Sequence, residues 1–350
     1  MRDVAVISFA QTPSVRREPR NEVEMLVELI PEVVKTSGIP REEIGFTCSG
    51  SCDYIAGQPF SFVMALDAAG AWPPIAESHV EMDSAWALYE AWLKIQTGQC
   101  DSALVYGFGK SSMGSLADVV TLQLDPYLVT PLWPAAPHIA ALQARKMIDA
   151  GRISEREMAG IAARNRRAAA ANPNAQLAGE FDVEALLRAP YVASPLRRHD
   201  CPPISDGASA VVLAADHLAR ELCKRPAWIR GIDHRVEPQS LGARDLTVSA
   251  STRIAAEKAG VGAGPLDVAE VYAPFTHQER LVCEALGLPG ECELNPSGGA
   301  LAAHPFMTAG LTRIGEVAQR ILDGRAGRGV AHATSGPCLQ QNLVCLLEGE

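Results

Sequence analysis

One internal comparison constrains this chain more than any other. Residues Asp83 to Phe108 run from a polar residue into a helical pattern, through Gly98, and back along an apolar strand, Ala103-Leu-Val-Tyr-Gly107. Residues His304 to Ser335 repeat that grammar and end on Gly329-Val-Ala-His-Ala333. Two such halves imply a duplicated α/β unit with a pseudo-twofold axis. The axis aims both helix N-termini at one central crevice, and helix N-termini stabilise developing negative charge.

The remaining pattern fits that frame. Apolar runs at 4–8, 44–48, 100–108, 228–232 and 268–272 read as buried strands. Residues 22–35 carry apolar side chains at helical spacing (Met25, Leu26, Leu29, Ile30, Val33, Val34), and Gly38-Ile-Pro40 stops that helix. Further helices are predicted over 60–68, 83–97, 248–259, 278–286 and 307–322. Between Lys110 and Arg198 the character changes: Pro126, Pro131, Pro134 and Pro137 punctuate an irregular stretch, and alanine-rich basic segments such as 158–171 follow. The predicted organisation is an N-terminal half of 1–110 with 199–222, an inserted loop domain over 111–198, and a C-terminal half over 223–350. Arg164, Arg166 and Arg167 suit either a solvated helix face or a phosphorylated ligand.

Composition removes several function classes. A net charge of -10 with no basic patch argues against nucleic acid. No run reaches the roughly 18 apolar residues of a membrane span, and Met1-Arg-Asp-Val does not open a signal peptide. A cytoplasmic protein without a membrane span is therefore expected. Nine cysteines form no zinc or disulfide pattern, because no second pair answers Cys48 and Cys52. Reduced thiols and no metal are the expectation.

Chemistry concentrates in four loops. Asn295-Pro-Ser-Gly-Gly-Ala-Leu-Ala-Ala-His-Pro-Phe306 joins a permissive glycine pair, Gly298 and Gly299, to His304. An imidazole exchanges protons near neutral pH. The others are Val80-Glu-Met-Asp-Ser84, Val271-Tyr-Ala-Pro-Phe275 and His332-Ala-Thr-Ser-Gly-Pro-Cys338.

In these loops, in Cys201-Pro-Pro-Ile-Ser-Asp-Gly-Ala-Ser-Ala-Val-Val-Leu213 and in the Asn165–Ala175 segment, the chain resembles the thiolase superfamily. It is most similar to the sterol-carrier-protein type and its lipid-transfer relatives, over essentially the whole length. The resemblance implies an α/β thiolase fold, a duplicated α-β-α-β-α five-layer architecture with an inserted loop domain. It also implies a homodimer, a CoA-thioester substrate and no tightly bound cofactor.

The departures from that pattern matter as much. The family's acylated cysteine falls at Ser84 here, and a serine hydroxyl is a far weaker nucleophile than a thiolate. Ser84 is expected to cap a helix at the site floor. The family's histidine in a His-x-x-Phe turn is Tyr272, a replacement shared with thiolase-like steroid side-chain aldolases, although their second tyrosine has no counterpart here. The candidate catalytic residues are Tyr272, His304 and Ser84, with backbone amides of Ser84, Gly336 and Gly299 as oxyanion donors. Cys338 and Asp83 are secondary candidates.

The reading that follows is retro-aldol carbon–carbon cleavage of a β-hydroxyacyl-CoA, a lipid or steroid side chain, without an acyl-enzyme. The alternatives are an acetyl-CoA C-acyltransferase and a non-catalytic subunit carrying acyl-CoA or lipid. The resemblance also implies a partner, a small OB-fold, zinc-ribbon protein.

Overall fold

A computed structural model describes residues 2–350. The N-terminal half contains β1 (Val4–Gln11), α1 (Glu22–Ser37), β2 (Phe46–Gly50), α2 (Asp53–Ala56), α3 (Phe62–Ala69), β3 (Glu77–Val80), α4 (Ser84–Gln96) and β4 (Ser102–Lys110). Four helices and a hairpin follow: α5 (Leu116–Leu122), α6 (Ala136–Asp149), α7 (Glu155–Ala168), α8 (Val183–Leu187), β5 (Tyr191–Ala193) and β6 (Leu196–Arg197). The chain then returns through β7 (Asp206–Ala215), α9 (Asp216–Leu222), β8 (Ala227–Val236), α10 (Ala250–Ala259), β9 (Val268–Val271) and α11 (Thr276–Leu286). It ends with β10 (Glu293–Leu294), α12 (Gly299–Ala302), α13 (Ala309–Leu322), β11 (Arg328–Ser335) and β12 (Gln341–Glu348).

The strand order is β10-β9-β11-β12-β8-β1-β7-β4-β2-β3. Reading outward from the centre, β1-β7-β4-β2-β3 and β8-β12-β11-β9-β10 are the same five strands in the same order. Their pairings match as well: the inner two pairs are antiparallel and the outer two parallel in each half. Within the sheet the halves join where β1 pairs with β8, through Ala5 with Trp228 and Val6 with Ala227; beneath it α13 packs against α4 and β1. The duplication read from the sequence is thus carried by every strand of the main sheet.

Strand side chains alternate between two cores, which explains the near-continuous apolar runs. Val4, Val6, Ala103, Val105, Val211, Leu213, Leu343 and Cys345 join α4 and α13 in the central core. Their neighbours Ala5, Ile7, Leu104 and Val212 turn outward onto α1 and α3. In the other half Val344 and Leu346 turn onto α10 and α11. Outer helices, half-sheet, central helices, half-sheet and outer helices make the five layers.

Local signals set the boundaries. Asn21 and Glu24 form a capping box at the start of α1, and Gly38 in the left-handed conformation ends it. The predicted start of α13 at Met307 moves to Ala309 because Met307 is itself left-handed, at φ 78°. β12 is an addition that the sequence reading did not contain.

Candidate active site

The two central helices begin at the same point. Asp83 is the N-cap of α4, accepting from the Ala85 amide at 2.9 Å. The same carboxylate accepts from the Gly310 and Leu311 amides at the start of α13, at 2.8 and 3.2 Å. One buried side chain therefore caps both helices. Burial pushes its pKa up to about 6, while the amides and Arg313 oppose the rise. The fit leaves no spare space: a Cβ on Gly310 would lie 2.5 Å from Asp83 Oδ1.

Ser84 follows and is sealed. Its amide donates to the Met307 carbonyl at 2.8 Å, and its Oγ lies 3.1 Å from that oxygen and 3.3 Å from Thr308 Oγ1. Gly50 and Gly107 pack against it so closely that a Cβ on Gly107 would sit 2.3 Å from Ser84 Oγ. Two expectations change accordingly. The capping residue is Asp83, not Ser84, and the Ser84 amide is already spent on Met307 and does not serve an oxyanion.

The Asn295–Phe306 loop is bolted from several sides. The Asn295 side chain accepts from the Val271 amide at 2.8 Å and donates to Glu279 at 2.8 Å. Ser297 donates through its amide and its hydroxyl to Glu270, which pairs with Arg313 at 2.7 Å. Gly298 holds φ 95°, and a Cβ there would meet Ala169 Cβ at 2.5 Å, so the glycine is required. The Gly299 amide donates to Ser297 Oγ at 3.3 Å, which withdraws it from the predicted oxyanion role.

His304 emerges from this loop with its amide donating to Ser205 Oγ at 3.0 Å. Its Nε2 lies 2.7 Å from the Tyr272 hydroxyl. Nδ1 has no hydrogen-bond partner among the described residues and is not one of the polar atoms cut off from solvent. Burial, with the Arg313 guanidinium, pushes the imidazole down to about 4, so it is neutral at pH 7. Tyr272 moves the other way: burial and the Asp83 carboxylate push it well above the ordinary tyrosine range. That direction favours the hydroxyl form of Tyr272 over a phenolate base.

A cavity of about 320 Å³ opens in front of His304. Its walls are mostly apolar, with Leu116, Val120, Ile139, Ile204, Phe275 and Phe306 among them. The polar groups reaching it are His304, Gln123, Gln278, Thr334, the Gly336–Cys338 turn and Arg198. Gly336 stands at φ 75° and its amide has no acceptor among the described residues. Cys338 and Leu339 are both left-handed, at φ 52° and 59°, and Arg244 clamps the turn by donating to the Pro337 and Cys338 carbonyls. Burial raises the Cys338 thiol to about 12, and it points to the Ile139 carbonyl at 3.6 Å. It is a protonated thiol at neutral pH.

Of the predicted residues, His304, Gly336 and Cys338 line the cavity; Tyr272, Asp83, Ser84 and Gly299 lie behind its wall. The arginine segment does not line this cavity: Arg164 pairs with Glu279, Arg167 with Glu180, and Arg166 stacks over Phe181. Sequence reasoning missed Ser205, Gln278 and the Glu270–Arg313 pair. One signal was available: Glu270 interrupts a buried strand and Arg313 an apolar helix face, and buried charges of opposite sign seek each other. Among the described residues no cluster of metal-ligating side chains occurs, and no helix is long and apolar enough to cross a membrane.

No protein-family model matches the chain. It is 28% identical to an acetyl-CoA acetyltransferase of Methanothermobacter thermautotrophicus, over 94% of this chain and 93% of that one. It is 25% identical to sterol carrier protein 2 of Bos taurus, over 69% of this chain and 51% of that longer protein. A solved structure described as an Ltp2-ChsH2(DUF35) aldolase superposes with a TM-score of 0.81 at 18% identity, covering 99% of this chain and 97% of that one. The fold is the thiolase fold. In sequence the chain is similar to thiolase-superfamily proteins, the sterol-carrier-protein type among them.

Proposed function

We propose that this protein is an enzyme acting on CoA thioesters, and that it cleaves a β-hydroxyacyl-CoA by a retro-aldol reaction without an acyl-enzyme. One observation carries the reading. Ser84, at the family's nucleophile position, is sealed at 0% exposure, while the neutral His304 faces the cavity. An acyl transfer needs an attackable nucleophile; a retro-aldol needs only a base and an oxyanion site.

The proposal assigns the tautomer in which Nε2–H donates to the Tyr272 oxygen, so that His304 Nδ1 presents its lone pair to the substrate. It takes the proton of the β-hydroxyl. The Cβ–O bond becomes a carbonyl, the Cα–Cβ pair moves to Cα, and the thioester oxygen takes the charge as an enolate. The Gly336 amide is the donor placed to hold that oxygen. The imidazolium then returns its proton to Cα, releasing a shortened acyl-CoA and a ketone or aldehyde. Arg198 supplies a cation to the cavity wall for the thioester's phosphates, and the apolar walls suit a lipid or steroid side chain. The structural neighbour's description as an aldolase supports the same reaction class.

The acyltransferase reading has one observation in its favour, the acetyltransferase relative that matches nearly the whole chain. A homodimer, and a small OB-fold, zinc-ribbon partner, are proposed with the aldolase reading; the neighbour is described with a DUF35 component. The deciding experiment incubates the protein, alone and with such a partner, with β-hydroxyacyl-CoA thioesters and measures released ketone or aldehyde. An acyl adduct on the intact protein after exposure to acyl-CoA would overturn the proposal in favour of acyl transfer.

A further inference from the structure

Three buried side chains, two at the start of α11 and one on α6, fix one another's hydrogen-bond directions. Gln143 on α6 donates through Nε2 to the Leu246 carbonyl at 3.1 Å. A carbonyl can only accept, so Gln143 Oε1 faces the other way. That oxygen lies 3.0 Å from Gln278 Nε2 and 3.2 Å from His277 Nε2. Gln278 is anchored independently at its other end, where Oε1 accepts from the Phe275 amide at 3.3 Å. A backbone amide can only donate, so the two backbone anchors assign both side-chain amides and place the His277 proton on Nε2.

Gln278 alone of the three lines the cavity, and it is 2% exposed. Its oxygen and one of its N–H bonds are used, and the second N–H has no acceptor among the described residues. A buried donor without an acceptor is costly, and anchors at both ends keep this amide from turning away. Toward the cavity Gln278 is therefore a donor. The turn from Tyr272 to Phe275 holds it together with the imidazole: the Tyr272 hydroxyl bonds His304 Nε2 at 2.7 Å, and the Phe275 amide bonds Gln278.

We infer that Gln278 selects the substrate: its free N–H takes the oxygen on the β-carbon of the acyl group, so the cavity prefers β-oxygenated acyl thioesters to unsubstituted ones. The inference rests on the retro-aldol reading. As His304 Nδ1 draws off the hydroxyl proton, negative charge gathers on the β-oxygen before the Cα–Cβ bond breaks, and an N–H donor there offsets it. The same N–H stays on the carbonyl oxygen of the released ketone or aldehyde. Gln143, which does not line the cavity, is the positioning residue behind it.

Binding without turnover tests this. His304→Ala removes the base, so a saturated acyl-CoA and its β-hydroxy counterpart of equal chain length can be titrated calorimetrically without cleavage. The β-hydroxy thioester is expected to bind roughly three- to tenfold more tightly, the worth of one net hydrogen bond. Adding Gln278→Met, which keeps the length and removes the donor, should bring that ratio to about one. A ratio unchanged by the substitution overturns the proposal, because a purely structural role would weaken both thioesters alike. Should the double variant not fold, His304→Ala alone decides: equal affinity for the two thioesters overturns the proposal, and a preference of about threefold or more upholds it. The retro-aldol reading fails separately, if the wild-type protein releases no ketone or aldehyde, since the binding ratio is measured with no reaction.

Discussion

The Tyr272 hydroxyl and the His304 Nε2 lie 2.7 Å apart, in a setting that drives their proton affinities in opposite directions. Tyr272 keeps its proton and His304 stays neutral, so the pair is one permanent hydrogen bond with one free nitrogen. A positioned acid–base group typically contributes on the order of 10²–10⁴-fold to rate. His304→Ala should lose about that factor in kcat. Tyr272→Phe, which removes orientation and leaves the base, should lose less, roughly tenfold. Steady-state kinetics on a cleaved β-hydroxyacyl-CoA check both.

The pH profile should be unusual for a histidine base. On the proposed mechanism His304 works only unprotonated, and burial with the Arg313 guanidinium pushes it down to about 4, so kcat/KM should hold level across neutral pH and fall only near that value. An acid limb at the ordinary histidine value of about 6.5 would mean that the imidazole is far better solvated than its burial in the fold allows.

Stability should respond to acid through three buried imidazoles. His277 is pushed down to about 3, and His304 and His332 to about 4, mainly by burial. Each binds its proton less tightly folded than unfolded. Their contribution is full above about 6.5 and is lost as pH falls toward 4. Asp83 runs the other way: its raised pKa adds stability at low pH that is lost as pH rises through about 6. These imidazoles, with His199 lowered in the same way, should pull the melting temperature down between pH 6.5 and 4, against Asp83, Glu77, Asp200 and Glu316, whose carboxyls are all raised by burial. His277→Gln, away from the cavity, should shallow that drop.

Cys338 should resist alkylation. With its thiol near 12, the thiolate fraction at pH 7 is negligible, and iodoacetamide should leave it unmodified in the folded protein while labelling it in urea. Peptide mass spectrometry reads the difference.

Gly298→Ala should destabilise by about 1–3 kcal/mol or more, because the left-handed backbone and the Ala169 contact both oppose a side chain. Denaturant melts measure it, and the His304 loop should be the first region to lose amide protection.

Much of this architecture was legible because its strands are buried on both faces. Runs such as Ala103–Phe108 and Val268–Val271 admit few other readings, and the α4–β4 and α13–β11 units announce the duplication themselves. β12 escaped because Leu343-Val-Cys-Leu-Leu347 is a short apolar run without alternation, as consistent with a helix as with a strand. Within the site, the nearness of Tyr272 and His304 followed from the resemblance. The sealing of Ser84 did not, since it depends on Gly50 and Gly107, two glycines in separate strands that pattern alone cannot bring together. The side of the cavity wall on which Tyr272 lies was equally invisible.

The meeting of the halves has a consequence for how activity should be lost. β1 and β8 share two residue pairs, whereas His304, the proposed base, stands on one half, and Asp83 and Ser84, which hold the chain beyond it, stand on the other. Slight parting of the two units would spoil proton transfer before either had unravelled. In rising urea, turnover should therefore disappear ahead of far-ultraviolet circular dichroism, and two separately expressed halves should recover activity only on reassociation.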